Sequence, residues 1–213
     1  MSSRFDVLRA VAGMVMATAI AAVSPANAAN IIEEWASVTA PPAPELKPVT
    51  IDSKTTALLM LDFLKPNCGV RPRCLATIPA VKKLLGEARA AKVTVIYSYS
   101  GKLTAVDLVD AGLAPTAGEQ SVTSSPDKFL NTDLDKILKD KGIKTVITVG
   151  TLANGAILHT GSSAALRGFN VIVPVDGISS GDTYSEQFST WQLANGPTVG
   201  KLVTITKIDM IKF

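Results

Sequence analysis

Few side chains in this sequence join reactive chemistry to a place where a ligand could meet it. Asp62 closes the apolar run TALLMLD over residues 56–62. A carboxylate at the end of a strand buried on both faces needs a reason to be there, because an unpaired buried charge is costly. Cys68 and Cys74 follow on the loop leaving that strand and enclose only Gly69-Val70-Arg71-Pro72-Arg73. They read either as a disulfide closing a small ring, which stabilises by about 2 kcal/mol in the chain-entropy model, or as two thiols of which one is reactive. Lys128 stands just before Phe129, where a solvated helix-start residue is the ordinary reading. His159 is the single histidine of the chain; on a helix and without an identified partner it is ordinarily structural or solvated. Other patterns fall away. Gly196-Pro-Thr-Val-Gly-Lys-Leu is one residue short of a P-loop and lacks the hydroxyl after its lysine. Gly161-Ser162-Ser163 lies inside a predicted helix, where hydroxyls ordinarily bond the preceding turn.

Composition removes further classes. The 213 residues are 47% hydrophobic and 18% charged, enough aliphatic content to build a folded core. A net charge of +3 with no stripe of Lys and Arg argues against nucleic acid as a partner. One histidine argues against a His-rich metal site, and neither a metal nor a cofactor is expected. Arg4 and Arg9 precede an uncharged apolar run over residues 11–23, then Ser24-Pro25 and the small residues Ala26-Asn27-Ala28. That order predicts a signal peptide over residues 1–28, too short in its apolar part to anchor in a bilayer. The expectation is a periplasmic or secreted protein with no membrane association after cleavage, and such a compartment favours the disulfide over free thiols.

Residues 29–54 are Pro-rich and read as an extended arm lying over the domain or pairing with a neighbouring subunit. Beyond it, strands are expected at 56–62, 93–99, 145–149, 169–175 and 202–206. Helices are expected at 75–91, 130–141, from Gly150 to about Arg167, and at 184–195; residues 103–125 fit no element. Strand and helix in alternation predict an α/β fold, three-layer α/β/α with a mostly parallel, Rossmann-like sheet. Ligands of such sheets bind beyond the carboxyl ends of the strands. That nominates residues 62–67, 97–101, 150–156 and 176–182, with Tyr97 as a ligand platform or a core residue. Asn154-Gly155-Ala156 would open a helix and turn backbone N–H groups toward a ligand oxygen.

Three segments together resemble the isochorismatase-like, or cysteine-hydrolase, superfamily. They are Ala57-Leu-Leu-Met-Leu-Asp62-Phe63; Lys128-Phe129-Leu-Asn-Thr132-Asp133-Leu134 with Gly142-Ile143; and Val149-Gly150, then Ala156-Ile-Leu-His-Thr160, Ala164, Gly168-Phe169 and Val175-Asp176. The resemblance covers roughly residues 55–207 and implies the isochorismatase-type sheet. It also implies a triad in which an Asp, matched by Asp62, takes the proton of a Cys while a Lys stabilises charge. The nucleophile position falls on Ala156, and the lysine position, six residues before Phe129, falls on Thr123. Lys128 reaches the site only if its loop runs differently. Isochorismatases proper also lack the Cys, and their pattern implies cleavage of a vinyl ether by protonation from the Asp, which must be held in apolar surroundings to keep a proton.

These readings combine into a divergent exported hydrolase acting on a small amide, ester or enol-ether compound. Asp62 and Lys128 are its catalytic residues, with Asp62 as general acid/base, and Tyr97, Asn154, Gly155 and Ala156 touch the substrate. The alternatives are a catalytically inactive member that binds a small molecule, or a structural homo-oligomer exchanging its arm over residues 38–50.

Overall fold

Strands form where apolar residues run unbroken. In the computed structural model, which describes residues 29–213, the run TALLML is β2 (Thr56–Leu61), buried at every position. Its side chains alternate between two cores, with Leu59 and Leu61 in one and Leu58 and Met60 in the other. β1 (Val49–Thr50) precedes it, and β3 (Thr94–Tyr99), β4 (Gln120–Thr123), β5 (Thr145–Thr151), β6 (Asn170–Pro174), β7 (Ile178–Ser179), β8 (Val203–Thr206) and β9 (Ile211–Lys212) follow. The main sheet has the order β4-β3-β2-β5-β6-β8 with every pairing parallel, and β7 extends it at the end of β5.

Four helices cover its faces. α1 (Pro72–Ala90) buries Ile78, Val81, Leu84, Leu85 and Ala88 in the core shared with Leu58 and Met60. α2 (Leu134–Asp140), α3 (Leu158–Leu166) and α4 (Thr183–Asn195) add Leu134, Leu138, Ala164, Ala165 and Leu193 to the other. The three-layer arrangement is the one the alternating pattern predicts.

The local structure departs from the expected pattern at several points. β4 lies within the stretch that fits no element in the sequence, because Gln120-Ser-Val-Thr123 offers a single apolar residue at the sheet edge. The helix expected from Leu130 begins only at Leu134. Upstream of it, side chains take the backbone groups a helix would use: Asp127 Oδ1 accepts from Phe129 N–H (2.9 Å), and Ser124 Oγ donates to Leu130 C=O (2.7 Å). Asn131 is left-handed at φ 55°. After β5, the chain makes a π-helical turn (Ala153–Ile157) before α3.

The arm divides after Pro41. Residues 29–41 carry one 3-10 turn, Trp35–Ser37, with Ile31, Ile32, Trp35 and Val38 exposed. Further on, β1 pairs with β9 of the same chain, and Lys47 N–H donates to Ile205 C=O at 2.9 Å. The predicted signal peptide lies outside the described residues. No helix among the described residues is long and apolar enough to cross a membrane.

Candidate active site

Asp62 follows the last residue of β2, and simple alternation would turn it away from the face that carries Leu61. It does not obey. Its φ of 56° is left-handed, and its carboxylate meets Ser98, which shares the strand face of Ile96 on β3. Ser98 Oγ donates to Asp62 Oδ1 at 2.8 Å. Lys128 Nζ stands 2.7 Å from the other oxygen, Oδ2. Asp62 is 6% exposed and Lys128 is fully buried at 0%. Burial pushes the Asp62 carboxyl above its ordinary 3.8, while Lys128 and Ser98 pull part of the way back.

Lys128 is held as firmly as its partner. Its N–H donates to Thr160 Oγ1 (3.2 Å), and that hydroxyl donates to Pro126 C=O (3.1 Å). Thr132 Oγ1 donates to the Lys128 carbonyl (2.5 Å), Ser163 Oγ donates to Asp127 Oδ2 (2.6 Å), and Lys128 Nζ donates to Ser124 C=O (3.3 Å). Two hydroxyls of α3 therefore fasten the loop that carries the lysine. The solvated helix start expected for Lys128 is corrected: the lysine sits in a loop and points inward.

Gly150 completes the floor. It lies opposite Leu61 in the register of β2 and β5, at φ 143°, and a Cβ there would stand 2.0 Å from the Leu61 carbonyl oxygen. Only glycine lets the two strand ends approach so closely. Ala156, in the turn that follows, is buried in the same core as Leu61, Ile96 and Phe129, one helical turn ahead of Thr160. Its methyl group has no nucleophilic chemistry. Cys68 and Cys74 form a disulfide and account for both cysteines of the chain, so no thiol is available.

Other nominated residues lie differently. Tyr97 faces the opposite core; its hydroxyl donates to Leu113 C=O (2.8 Å) and accepts from Arg89 Nη2 (3.1 Å), and burial pushes its phenol above 10. Its placement as a ligand platform is corrected. Asn154 is exposed, and its amide bridges Ser180 Oγ (2.9 Å) and Ser185 Oγ (3.2 Å), tying the turn to the start of α4. The Gly155 N–H is spent on Leu152 C=O at 3.0 Å. His159 is exposed. Asp176 Oδ1 accepts from Ile208 N–H (2.9 Å) and Asp182 caps α4. Among the described residues no three His, Cys, Asp or Glu side chains gather as metal ligands.

The model of the isochorismatase domain matches residues 56–207, from β2 through β8. This chain belongs to the isochorismatase family. Solved structures show the same fold. An isochorismatase-like hydrolase from Alkaliphilus metalliredigens superposes with a TM-score of 0.65 at 22% identity, covering 73% of this chain and 95% of that one. A cysteine hydrolase from Pseudomonas syringae pv. phaseolicola 1448A gives 0.68 at 21% identity, covering 79% and 95%. The secreted isochorismatase effector Isc1 of Verticillium dahliae is 30% identical over 117 residues, 50% of this chain and 62% of that protein, so the match spans less than two thirds of the relative. Against the family pattern, the lysine position at Thr123 is the exposed last residue of β4. Ser98 lies inside the nominated stretch 97–101, but nothing in the sequence singles it out beyond a hydroxyl in the run VIYSY.

Proposed function

We propose that this chain is an exported isochorismatase-type hydrolase that cleaves a small enol ether by proton transfer from Asp62. The observation that carries this reading is a buried Asp62–Lys128 pair in a chain with an alanine at position 156, where the family pattern sets its nucleophile. An acyl-enzyme needs a nucleophile that Ala156 cannot supply, whereas protonation of a vinyl carbon needs only a carboxyl that keeps its proton. Burial favours that protonated form. Asp62 delivers its proton to the terminal carbon of C=C–O, leaving an oxocarbenium ion, and Lys128 stabilises the carboxylate that remains. Water adds to the cation and returns a proton to Asp62; the resulting hemiketal breaks its C–O bond to give a carbonyl compound and an alcohol. Export is supported by the disulfide and by the basic-apolar start of the chain.

The test measures turnover of a panel of vinyl ethers, amides and esters by the wild type, Asp62→Asn and Lys128→Met. Loss of the general acid should cost about 10²–10⁴-fold on an enol ether. Hydrolysis that survives Asp62→Asn overturns the reading. Tight binding of a panel compound without turnover would overturn it in favour of a catalytically inactive binding protein. Amino-terminal sequencing of the exported protein should begin at residue 29.

A further inference from the structure

We infer that Ser98 is the positioning residue that makes Oδ1 of Asp62 the oxygen from which the proton is transferred. The inference rests on the acid role proposed for Asp62 and goes beyond it. An ammonium donates in three directions and accepts in none. The oxygen facing Lys128 Nζ at 2.7 Å, Oδ2, would hold a proton only by setting O–H against N–H. That leaves Oδ1, which lies 2.8 Å from Ser98 Oγ. A hydroxyl suits this place because it serves both states. It donates to Oδ1 when Asp62 is ionised, and when Oδ1 carries the proton it rotates to accept until a substrate carbon takes its place and the O–H turns to that carbon. Lys128 is the charged group that faces Asp62 among the described residues, and alone it would let the carboxylate pivot about the Oδ2 contact. The Ser98 hydroxyl supplies the second fixed point. The backbone agrees: only the left-handed φ of 56° at Asp62 turns the carboxylate onto the face of β3 where Ser98 stands.

The experiment titrates the Asp62 carboxyl by ¹³C NMR in wild type, Ser98→Ala and Ser98→Thr, with Asp62→Asn identifying the signal. No substrate is needed. Removing the hydroxyl costs the ionised form more than the protonated form, so the proton affinity of Asp62 should rise about tenfold, the difference between a hydrogen bond to a charged and to a neutral group. Ser98→Thr should titrate as the wild type does. On an enol ether that the wild type turns over, Ser98→Ala should lower kcat with KM unchanged, and the pH profile should move with the NMR midpoint. An unmoved midpoint in Ser98→Ala overturns the inference, as does an equal shift in Ser98→Thr. Should Ser98→Ala fail to fold, Ser98→Cys, with its weak donor, takes its place and must move the midpoint in the same direction. Failure of the acid reading is separable: Asp62→Asn would then turn over enol ethers normally while the NMR shift persisted.

Discussion

Lys128 places its ammonium 2.7 Å from the Asp62 carboxylate from a position five residues beyond Thr123, where the family pattern sets its lysine. Thr123 is consumed by the edge strand β4, and the irregular loop behind it folds back under α3. In this chain the cation beside the carboxylate comes from that loop and not from β4.

Where Asp62 is ionised, removing that cation should leave an uncompensated buried charge. Lys128→Met is expected to destabilise the protein by about 3–5 kcal/mol, and Asp62→Asn added to it should recover much of the loss. Urea denaturation of the two single variants and the double variant checks this. A near-neutral single Lys128→Met would mean that the pair is far better solvated than its burial indicates.

The pH dependence has a definite sign. In the folded chain Asp62 holds its proton above the ordinary 3.8. Between the two values the native state binds more protons than the unfolded state, so the contribution of Asp62 is present at lower pH and lost as pH rises through the folded value. Asp62→Asn lacks this slope. The stability of the wild type relative to Asp62→Asn should therefore fall with rising pH in that window, by at most about 1.4 kcal/mol per pH unit. A difference that grows with pH would show that attraction to Lys128 outweighs burial.

Gly150→Ala should cripple folding, because the added methyl meets the carbonyl of Leu61 at a φ that disfavours any side chain. Gly168→Ala is the control: its φ is +89° with nothing within 4 Å. It should lose only about 1–3 kcal/mol from the backbone alone, as thermal unfolding followed by circular dichroism will record.

Thr160→Val keeps the shape of the side chain and removes the hydroxyl that holds the Lys128 N–H and the Pro126 carbonyl. The buried Lys128 N–H loses its partner, at about 1–3 kcal/mol when left unsatisfied, while the carbonyl of the exposed Pro126 can turn to water. Thr160→Ser should keep both bonds and most of the stability. Equal chemical denaturation curves for Val and Ser would rule out the role assigned to the hydroxyl.

Replacing Cys68 and Cys74 together with alanine should cost about 2 kcal/mol, most of it in the unfolded state. The same loss should follow when the wild type is denatured with and without reductant.

Much of this architecture is legible in one dimension. An unbroken run such as TALLML needs cover on both faces, and apolar positions spaced like Ile78, Val81, Leu84, Leu85 and Ala88 supply a helix to cover it. The end of that strand singles out Asp62, and the short spacing of Cys68 and Cys74 suits the bond they make. Tyr97 shows where such reading fails: it stands two residues before the end of β3, on the side of the sheet where ligands bind, but the pleat turns it to the other core. β4 is missed because an edge strand needs little apolar content.

Local pattern, then, determined the layers, the parallel sheet and the carboxylate at the carboxyl end of a central strand, because period and burial are properties of neighbours in the chain. The tertiary structure alone decided that Lys128 and Ser98 share that carboxylate. Those contacts join residues 66 and 36 positions apart, and they depend on a left-handed turn at Asp62 and a loop bent by its own side chains, neither of which any periodicity encodes.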